Sequence, residues 1–536
     1  NAIHSSINGT TGFLQIQDSQ FIQCIGSGID GGAILLFVYN GGQVTISNSS
    51  FNQCESQFGG GIYVTIQTDG KITIDGQCSF TECKASYSGG GIYADISGMN
   101  SLLALEDGLK YEGCLSQYSH GGGGIYVDID YQGTCIINKV QFNYCNAING
   151  GAYYEGGGMH MSLQQVNSIL ELIDLSFENC SVFGYIENVE IYNKGGGIFI
   201  QILNDAQLII SEICSFKNCS CSLYGGGCYV LCTGIGTQIQ ATGQLEFENC
   251  NSDLGGGMFV YIDEQATVDI NQISFKDCSA QSGGGLMTDI KNGGKFSISG
   301  ISSFLNCESL NGGGIYSNIS YGTLNIEDST FDRCTCIQPG NGGGIALIQG
   351  TSSKISITNS SFINCKTISN TSDQRYGWGG AIFIQTSVSA ENLNETNFLL
   401  RNLIFSGCQA VNQIGNNIHI QSSNTYTTGE AIKNGSLLTV KDITDLYENK
   451  LYGSDYMGID ESDIDDGNAP ISKHEPLFNI PQSRMFLNPY LVDANDGIDN
   501  VFCGQSDMPC NGGIYIEIME ENSGLNLTTL SFENCS

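Results

Sequence analysis

The sequence predicts an all-β chain: a right-handed, single-stranded parallel β-helix, a three-sided solenoid of about 13–14 coils, with the start of a second β-helix behind it. Three observations predict it. A Phe-x-x-Cys element recurs through the 536 residues, a glycine run followed by Ile recurs at the same period, and the stretches between them are short, with apolar residues at alternate positions. A period of about thirty residues marks stacked units that cannot bury their apolar face alone.

The Phe-x-x-Cys copies begin at residues 21, 51, 80, 111 (with Tyr for Phe), 142, 177, 216, 247, 275, 304, 331, 362, 405 and 532, and successive copies through Cys365 lie 27 to 39 residues apart. Each unit offers three strand-like pieces, typified by GGGIYVTI (59–66), KITI (71–74) and SFTEC (79–83). Ile62, Val64 and Ile66 share one face by the period of two, as do Ile72 and Ile74. These pieces are too short for the helices of a βαβ fold, and the Asp, Asn, Ser and Gly between them suit sharp corners. Crossover chirality supplies the right hand. Stacked at ~4.8 Å, the thirteen contiguous copies make a rod of roughly 60 Å. The glycines are read as corner residues, where backbones approach and φ turns positive. A phosphate-cradling loop would need a following helix and a Lys-Ser/Thr context, which is missing. A degenerate coil is expected at Leu446–Asn449 (LYEN), closing a β-helix over residues 1–449.

Composition bounds the function. The formal charge of −35, with only 19 Lys and Arg, argues against nucleic acid or an anionic membrane as partner. No apolar run approaches the ~18 residues of a bilayer span. Eleven Asn-x-Ser/Thr sequons, at Asn8, Asn48, Asn179, Asn218, Asn318, Asn359, Asn370, Asn394, Asn434, Asn526 and Asn534, point to a glycoprotein of the cell exterior.

Fourteen of the 23 cysteines fall in the Phe-x-x-Cys column: Cys24, Cys54, Cys83, Cys114, Cys145, Cys180, Cys219, Cys250, Cys278, Cys307, Cys334, Cys365, Cys408 and Cys535. Two readings stand, a file of compact buried thiols or disulfide staples between coils. The coil spacing is within a disulfide's reach, but side chains stacked in register point the same way and one thiol joins only one neighbour. Free thiols are therefore favoured, with local pairing expected among the off-column Cys214, Cys221, Cys228 and Cys232. Zinc is disfavoured, because these cysteines recur at coil spacing with only 5 histidines in the chain.

With Ile inward, the next residue points out, and that column reads as an aromatic stripe: Tyr63, Tyr93, Tyr126, Phe199, Tyr229, Phe259, Tyr316 and Phe383, interspersed with Leu35, His160, Met287, Ala346 and His419. Stacking can stabilise a parallel sheet by itself; equally, an open apolar track marks an interface for a neighbouring protein, a second copy or sugar rings. Insertions at 146–155, 181–194 and 366–378 fall on one edge and are placed to cover it. Residues 450–487 read as an acidic, Pro-containing linker, in which Asp460, Asp463, Asp465 and Asp466 are weak Ca²⁺ candidates that match no EF-hand loop.

The GGGIY and Phe-x-x-Cys pairs, with GGAI itself at Gly31–Ile34 and Gly379–Ile382, resemble the GGAI and FxxN repeats of chlamydial polymorphic outer-membrane proteins and related β-helical surface proteins of protists. This chain departs from them by placing Cys where that pattern has Asn. The resemblance implies surface display or adhesion. Residues 488–510 are similar to the lead-in segment of secreted β-helix domains, which implies that Cys503 and Cys510 pair and pin a cap, with 488–536 holding that cap and the first coil of a second β-helix. The two ends fit one coil phase, so one block of a longer array is expected. The function expected is a non-enzymatic structural or surface protein, a coat, appendage, filament or adhesin element. Its expected partners are further copies, neighbouring surface proteins or glycans, and no cofactor is required. The alternative is a carbohydrate-active enzyme, which needs clustered carboxylates on one face.

Overall fold

A computed structural model describes residues 1–26, 31–118, 121–148, 153–184 and 192–478. The expectations for Cys503, Cys510, Cys535, Asn526, Asn534 and the second β-helix lie outside the described residues.

The chain is a parallel β-solenoid of about 11 turns, mostly β with one helix, and not a barrel. Its first sheet has sixteen strands, all parallel except the last, Glu475–Pro476. Ile62 lies opposite Ile92, and Ile92 opposite Ile125, so each strand pairs with its counterpart one coil on. The alternation does its work here: Ile62, Val64 and Ile66 are fully buried while Tyr63 and Thr65 between them face out. The third side is reduced to single bridges at Ile25–Glu55, through the middle coils at Ser220–Asn251, Asn251–Ser279 and Ser279–Glu308, and at Lys366–Gln409.

The expected order of the three sides is corrected. KITI and SFTEC do not make two sides. Both belong to one bent second sheet, and in the middle of the rod they fuse into single strands such as Gln207–Lys217 and Gln238–Glu248. The polar residue between them, Asn48 (φ 46°) or Glu212 (φ 55°), takes the left-handed conformation and bends the strand without leaving the sheet. The third side is the stretch after each Cys, for example Glu55–Phe58 and Lys84–Ser88, which the sequence pattern presented as a corner.

The glycine triplet 59–61 gives each glycine a separate reason. Gly59 sits at φ +60°; a Cβ on Gly60 would meet the Gly90 carbonyl oxygen of the next coil at 2.2 Å; a Cβ on Gly61 would meet the Phe80 ring at 2.9 Å. The Cβ on Gly61 would also meet the Gly91 carbonyl oxygen, at 2.9 Å, a looser backbone contact than that of Gly60, and this is the position where Ala33 and Ala381 occur naturally.

Inside, Phe21, Phe51, Phe80, Tyr111, Phe142, Phe177, Phe216, Phe247, Phe275, Phe304, Phe331, Phe362 and Phe405 form one continuous stack with centroids 4.5 to 5.4 Å apart.

Two expectations fail near the end. LYEN is no coil: Asn449 caps a short 3-10 helix through Leu451 N, and no ring there joins the stack. Nor is the acidic segment a free linker. Tyr456–Asp460 pairs in parallel with Ile418–Ser422 as a further strand of the first sheet, and Tyr456, Leu477 and Phe478 enter the core. The helix Thr425–Gly435, capped by Asn424 on Thr427 N, replaces a strand-to-strand corner and closes this end.

Candidate functional site

The solenoid's outer first sheet is the surface on which function was expected, and the stripe lies there as one file. Tyr63, Tyr93, Tyr126 and His160 stack at 4.9, 4.9 and 4.4 Å, and Phe199, Tyr229 and Phe259 continue it at 5.4 and 5.3 Å. Of the two readings of the stripe, the open track is the one that does not fit its middle and far end. Phe199, Tyr229 and Phe259 are buried beneath Tyr224 and Leu254 of the third side, with Lys194 Nζ about 5 Å over two of the rings. Ala346 and Phe383 are covered by Trp378 from the 366–378 insertion, with Ile414 and Ile459 completing that cluster. Tyr63, Tyr93, Tyr126 and Tyr316 are half-buried. Because the rings stack on one another, their faces are used up along the axis and only edges reach solvent, which removes the flat platform a sugar ring would need.

Beside the tyrosines the structure assembles a group that sequence spacing did not reveal. Asp95 and Asp128 are direct neighbours on adjacent strands, with Asp130 two residues on and Ser162 opposite Asp128 on the next strand. Gln164 Nε2 donates to both Asp128 carboxylate oxygens at 3.1 and 3.3 Å. Burial, then Asp130 and Asp95, push the Asp128 carboxyl up to about 6, and burial also raises Asp95 and Asp130. Such a carboxyl is poised to exchange a proton near neutral pH. Asp95 and Asp128 are 33 residues apart in sequence, one long coil, and only the strand register shows that they touch.

Among the described residues the cysteine column is a file of free thiols, all buried except Cys24 in the first coil, which is half-buried. Most of these S–H groups reach back to the aromatic residue's carbonyl in the coil before, Cys54 to Phe21 O at 3.6 Å, Cys83 to Phe51 O at 3.4 Å and Cys114 to Phe80 O at 3.4 Å. The neighbouring thiol in the file, followed by burial, holds the protons of Cys54 and Cys83 on well beyond the ordinary thiol range. The expected local pairing is corrected: Cys214, Cys221, Cys228 and Cys232 are also free and buried. Burial pushes Cys214 and Cys221 up to about 12, which makes them inert packing groups.

The sequons divide. Asn179 and Asn218 belong to an asparagine ladder: Asn179 Nδ2 donates to Asn143 Oδ1 at 3.2 Å, Asn218 Nδ2 to Asn179 Oδ1 at 3.2 Å and Asn249 Nδ2 to Asn218 Oδ1 at 2.8 Å. Asn318, Asn359, Asn370 and Asn394 likewise donate Nδ2, to Asp289, Glu327, Gln338 and Asn392. Asn8, Asn48 and Asn434 are exposed.

The four Ca²⁺ candidates do not converge. Asp460 Oδ1 accepts from Thr425 N at 2.6 Å, Asp463 pairs with Lys473 at 3.0 Å, and Asp466 points toward Arg375 at 3.7 Å. Asp465 exchanges backbone hydrogen bonds with Asn468. Among the described residues no group of three or more His, Cys, Asp or Glu is arranged to hold a metal, and no helix is long and apolar enough to cross a membrane.

One buried polar pair was missed altogether. His419 Nε2 and His474 Nδ1 share a hydrogen bond of 3.0 Å, and Trp378 packs against both rings. Comparisons with family models, curated proteins and solved structures found no match for this chain.

Proposed function

We propose that the chain is a non-enzymatic structural or surface protein of the cell exterior, a stiff rod acting as an element of a coat, appendage, filament or adhesin within a larger β-helical array. The observation that carries this reading is the unbroken stack of thirteen rings with a thiol file beside it. Side chains committed to one another along the axis resist bending and present no cleft. Among the described residues, an apolar internal cavity of about 20 Å³ lies among Leu172, Phe177, Ile200 and Phe247, and a larger, open depression of about 560 Å³ is lined by Gln409, Asn412, Gln413 and Asn416, with no titratable group but Cys408 in its wall. The resemblance to β-helical surface proteins supports the same reading through the GGAI corners, and the exposed sequon asparagines suit an exterior location. Buried thiols survive in an oxidising compartment, since a thiol that an oxidant cannot reach is not oxidised.

A second reading has one specific support. Asp128, with its raised proton affinity beside Asp95, has the makings of the acid–base pair of a carbohydrate-active enzyme. Incubation with acidic and neutral polysaccharides separates the two. No new reducing ends or unsaturated products are expected; their release, lost on Asp128→Asn, overturns the structural reading.

A further inference from the structure

We propose that the His419–His474 pair is an acid-sensitive latch that holds residues 461–475 over the end of the aromatic stripe, and that acid lifts this arch and exposes the face beneath. The arch leaves the first sheet after Tyr456–Asp460, crosses its outer surface and returns as Glu475–Pro476. On the way Ile464 and Ala469 pack against the cluster of Ala346, Trp378, Phe383 and Ile459. His474 is the polar anchor: 1% exposed, it meets the fully buried His419 on the strand Ile418–Ser422.

The cage around the two rings is aromatic. Trp378 lies 5.1 Å from His419 and 4.8 Å from His474, and Phe383 lies 5.9 Å from His419. The remaining ring nitrogens, His419 Nδ1 and His474 Nε2, are buried with no hydrogen-bond partner. One N–H and one lone pair complete the shared bond, so a first added proton must settle on an outer nitrogen that is buried without a partner, and a second removes the lone pair that the shared bond needs.

The charged and titratable groups on the surrounding elements are engaged elsewhere. Lys473 pairs with Asp463, Arg375 with Asp373 and Asp466, Asp460 with Thr425 N, and Tyr376 sits edge-on to Trp378. Glu475, beside His474, is itself partnered. A proton added to either ring is thus buried without a counter-charge, which is costly. Burial holds His474 down to about 4 and, with the neighbouring ring, holds His419 well below its ordinary value.

The sign follows. The closed arch binds protons less readily than the open one, so closure is fully supported above about pH 6.5 and is lost as pH falls toward about 4. For His474 alone the closed-to-open ratio drops about 20-fold between pH 7 and pH 5, and His419 adds to it.

The protein contains a single tryptophan, Trp378, and it is 3% exposed under this arch. Its fluorescence therefore reports the latch directly. Acidifying the full chain from pH 7 to pH 4 is expected to red-shift Trp378 emission and raise its quenching by acrylamide, reversibly, while the far-UV signal of the solenoid stays constant. His474→Phe, which keeps the ring packing, is expected to move the transition to lower pH and shrink it, leaving only the contribution of His419. Wavelength and acrylamide access are read because a protonated histidine quenches intensity without any opening. Hydrogen exchange of residues 461–475 in the unaltered chain provides the second measurement, needing no variant. An acrylamide response that is flat with pH overturns the latch. So does an acid transition unchanged in His474→Phe, or exchange in 461–475 that accelerates no more than in Ile92–Ser97.

Discussion

The glycine triplet at 225–227 allows the packing argument to be tested one methyl group at a time. All three glycines look alike in sequence, yet the geometry assigns them different tolerances. A Cβ on Gly226 falls 2.3 Å from the Gly256 carbonyl oxygen and 2.4 Å from the Asn251 oxygen, both backbone atoms of the next coil. Relieving that contact means pushing two hydrogen-bonded coils apart by roughly 1 Å, and overpacking of this kind costs about 3 kcal/mol or more. Gly225, at φ +63°, asks alanine to enter the left-handed region at about 1–2 kcal/mol, and its Cβ also crowds the Cys228 carbonyl at 2.2 Å. Gly227 meets the Phe247 ring at 2.7 Å, and a ring can shift; its alanine variant should cost about 1 kcal/mol or less, because the unfolded chain loses about 0.4–1 kcal/mol of entropic advantage. Gly225→Ala and Gly226→Ala, each of which brings a Cβ within 2.3 Å of a backbone oxygen, should both destabilise the chain well beyond Gly227→Ala. A long solenoid opens locally, so the assay is hydrogen exchange in the flanking strands Cys228–Thr233 and Met258–Asp263, with urea midpoints as a second measure. Equal protection in Gly226→Ala and Gly227→Ala would refute the coil spacing on which the packing argument depends.

Further outcomes follow from the same geometry. Asp128 has a folded-state proton affinity raised to about 6, so its ionised form opposes folding above that pH; Asp128→Asn should stabilise the chain by about 1–2 kcal/mol at pH 7.5, after allowance for solvent screening, and the gain should vanish below pH ~4 in paired urea titrations. Glycan mapping of the chain expressed through a glycosylating secretory pathway should find Asn8, Asn48 and Asn434 occupied and Asn179 and Asn218 bare, because a glycan on either of the latter replaces an Nδ2 hydrogen with a sugar where the next rung of the ladder packs; full occupancy at Asn179 would contradict the ladder. Maleimide labelling with peptide mapping should modify Cys24 within minutes under native conditions, whereas Cys54 through Cys365 in the column stay unmodified until denaturant is added.

Much of this architecture was legible because one coil is written over and over. The period fixed the stacking, the alternation in IYVTI fixed which side chains go in, and Phe51 and Cys54 lie where their spacing put them. The assignment of the three sides was not legible, and the reason lies in single residues. Asn48 and Glu212 carry corner chemistry, yet each turns a strand only far enough to bend a sheet. Glu55–Phe58 pairs as a strand although its composition is that of a loop. The distinction depends on whether the next coil offers hydrogen bonds there, a property of two coils and not of one.

The same limit explains what happened at the stripe. Parity put Tyr229 and Phe383 on the outer face, and they are there, but exposure depends on what else reaches that face. Tyr224 lies only five residues before Tyr229, beyond a glycine run, whereas the arch over Phe383 returns from about ninety residues further along the chain. Asp95 with Asp128, and His419 with His474, are hidden for the same reason, one pair separated by a coil and the other by the whole closing segment. A solenoid is thus transparent to sequence along its axis, where neighbours repeat, and opaque across its surface, where the insertions that break the repeat do the covering. The histidine pair lies at such a break, under the closing segment, whereas Asp128 lies within a regular coil whose strand pairs in register on both sides.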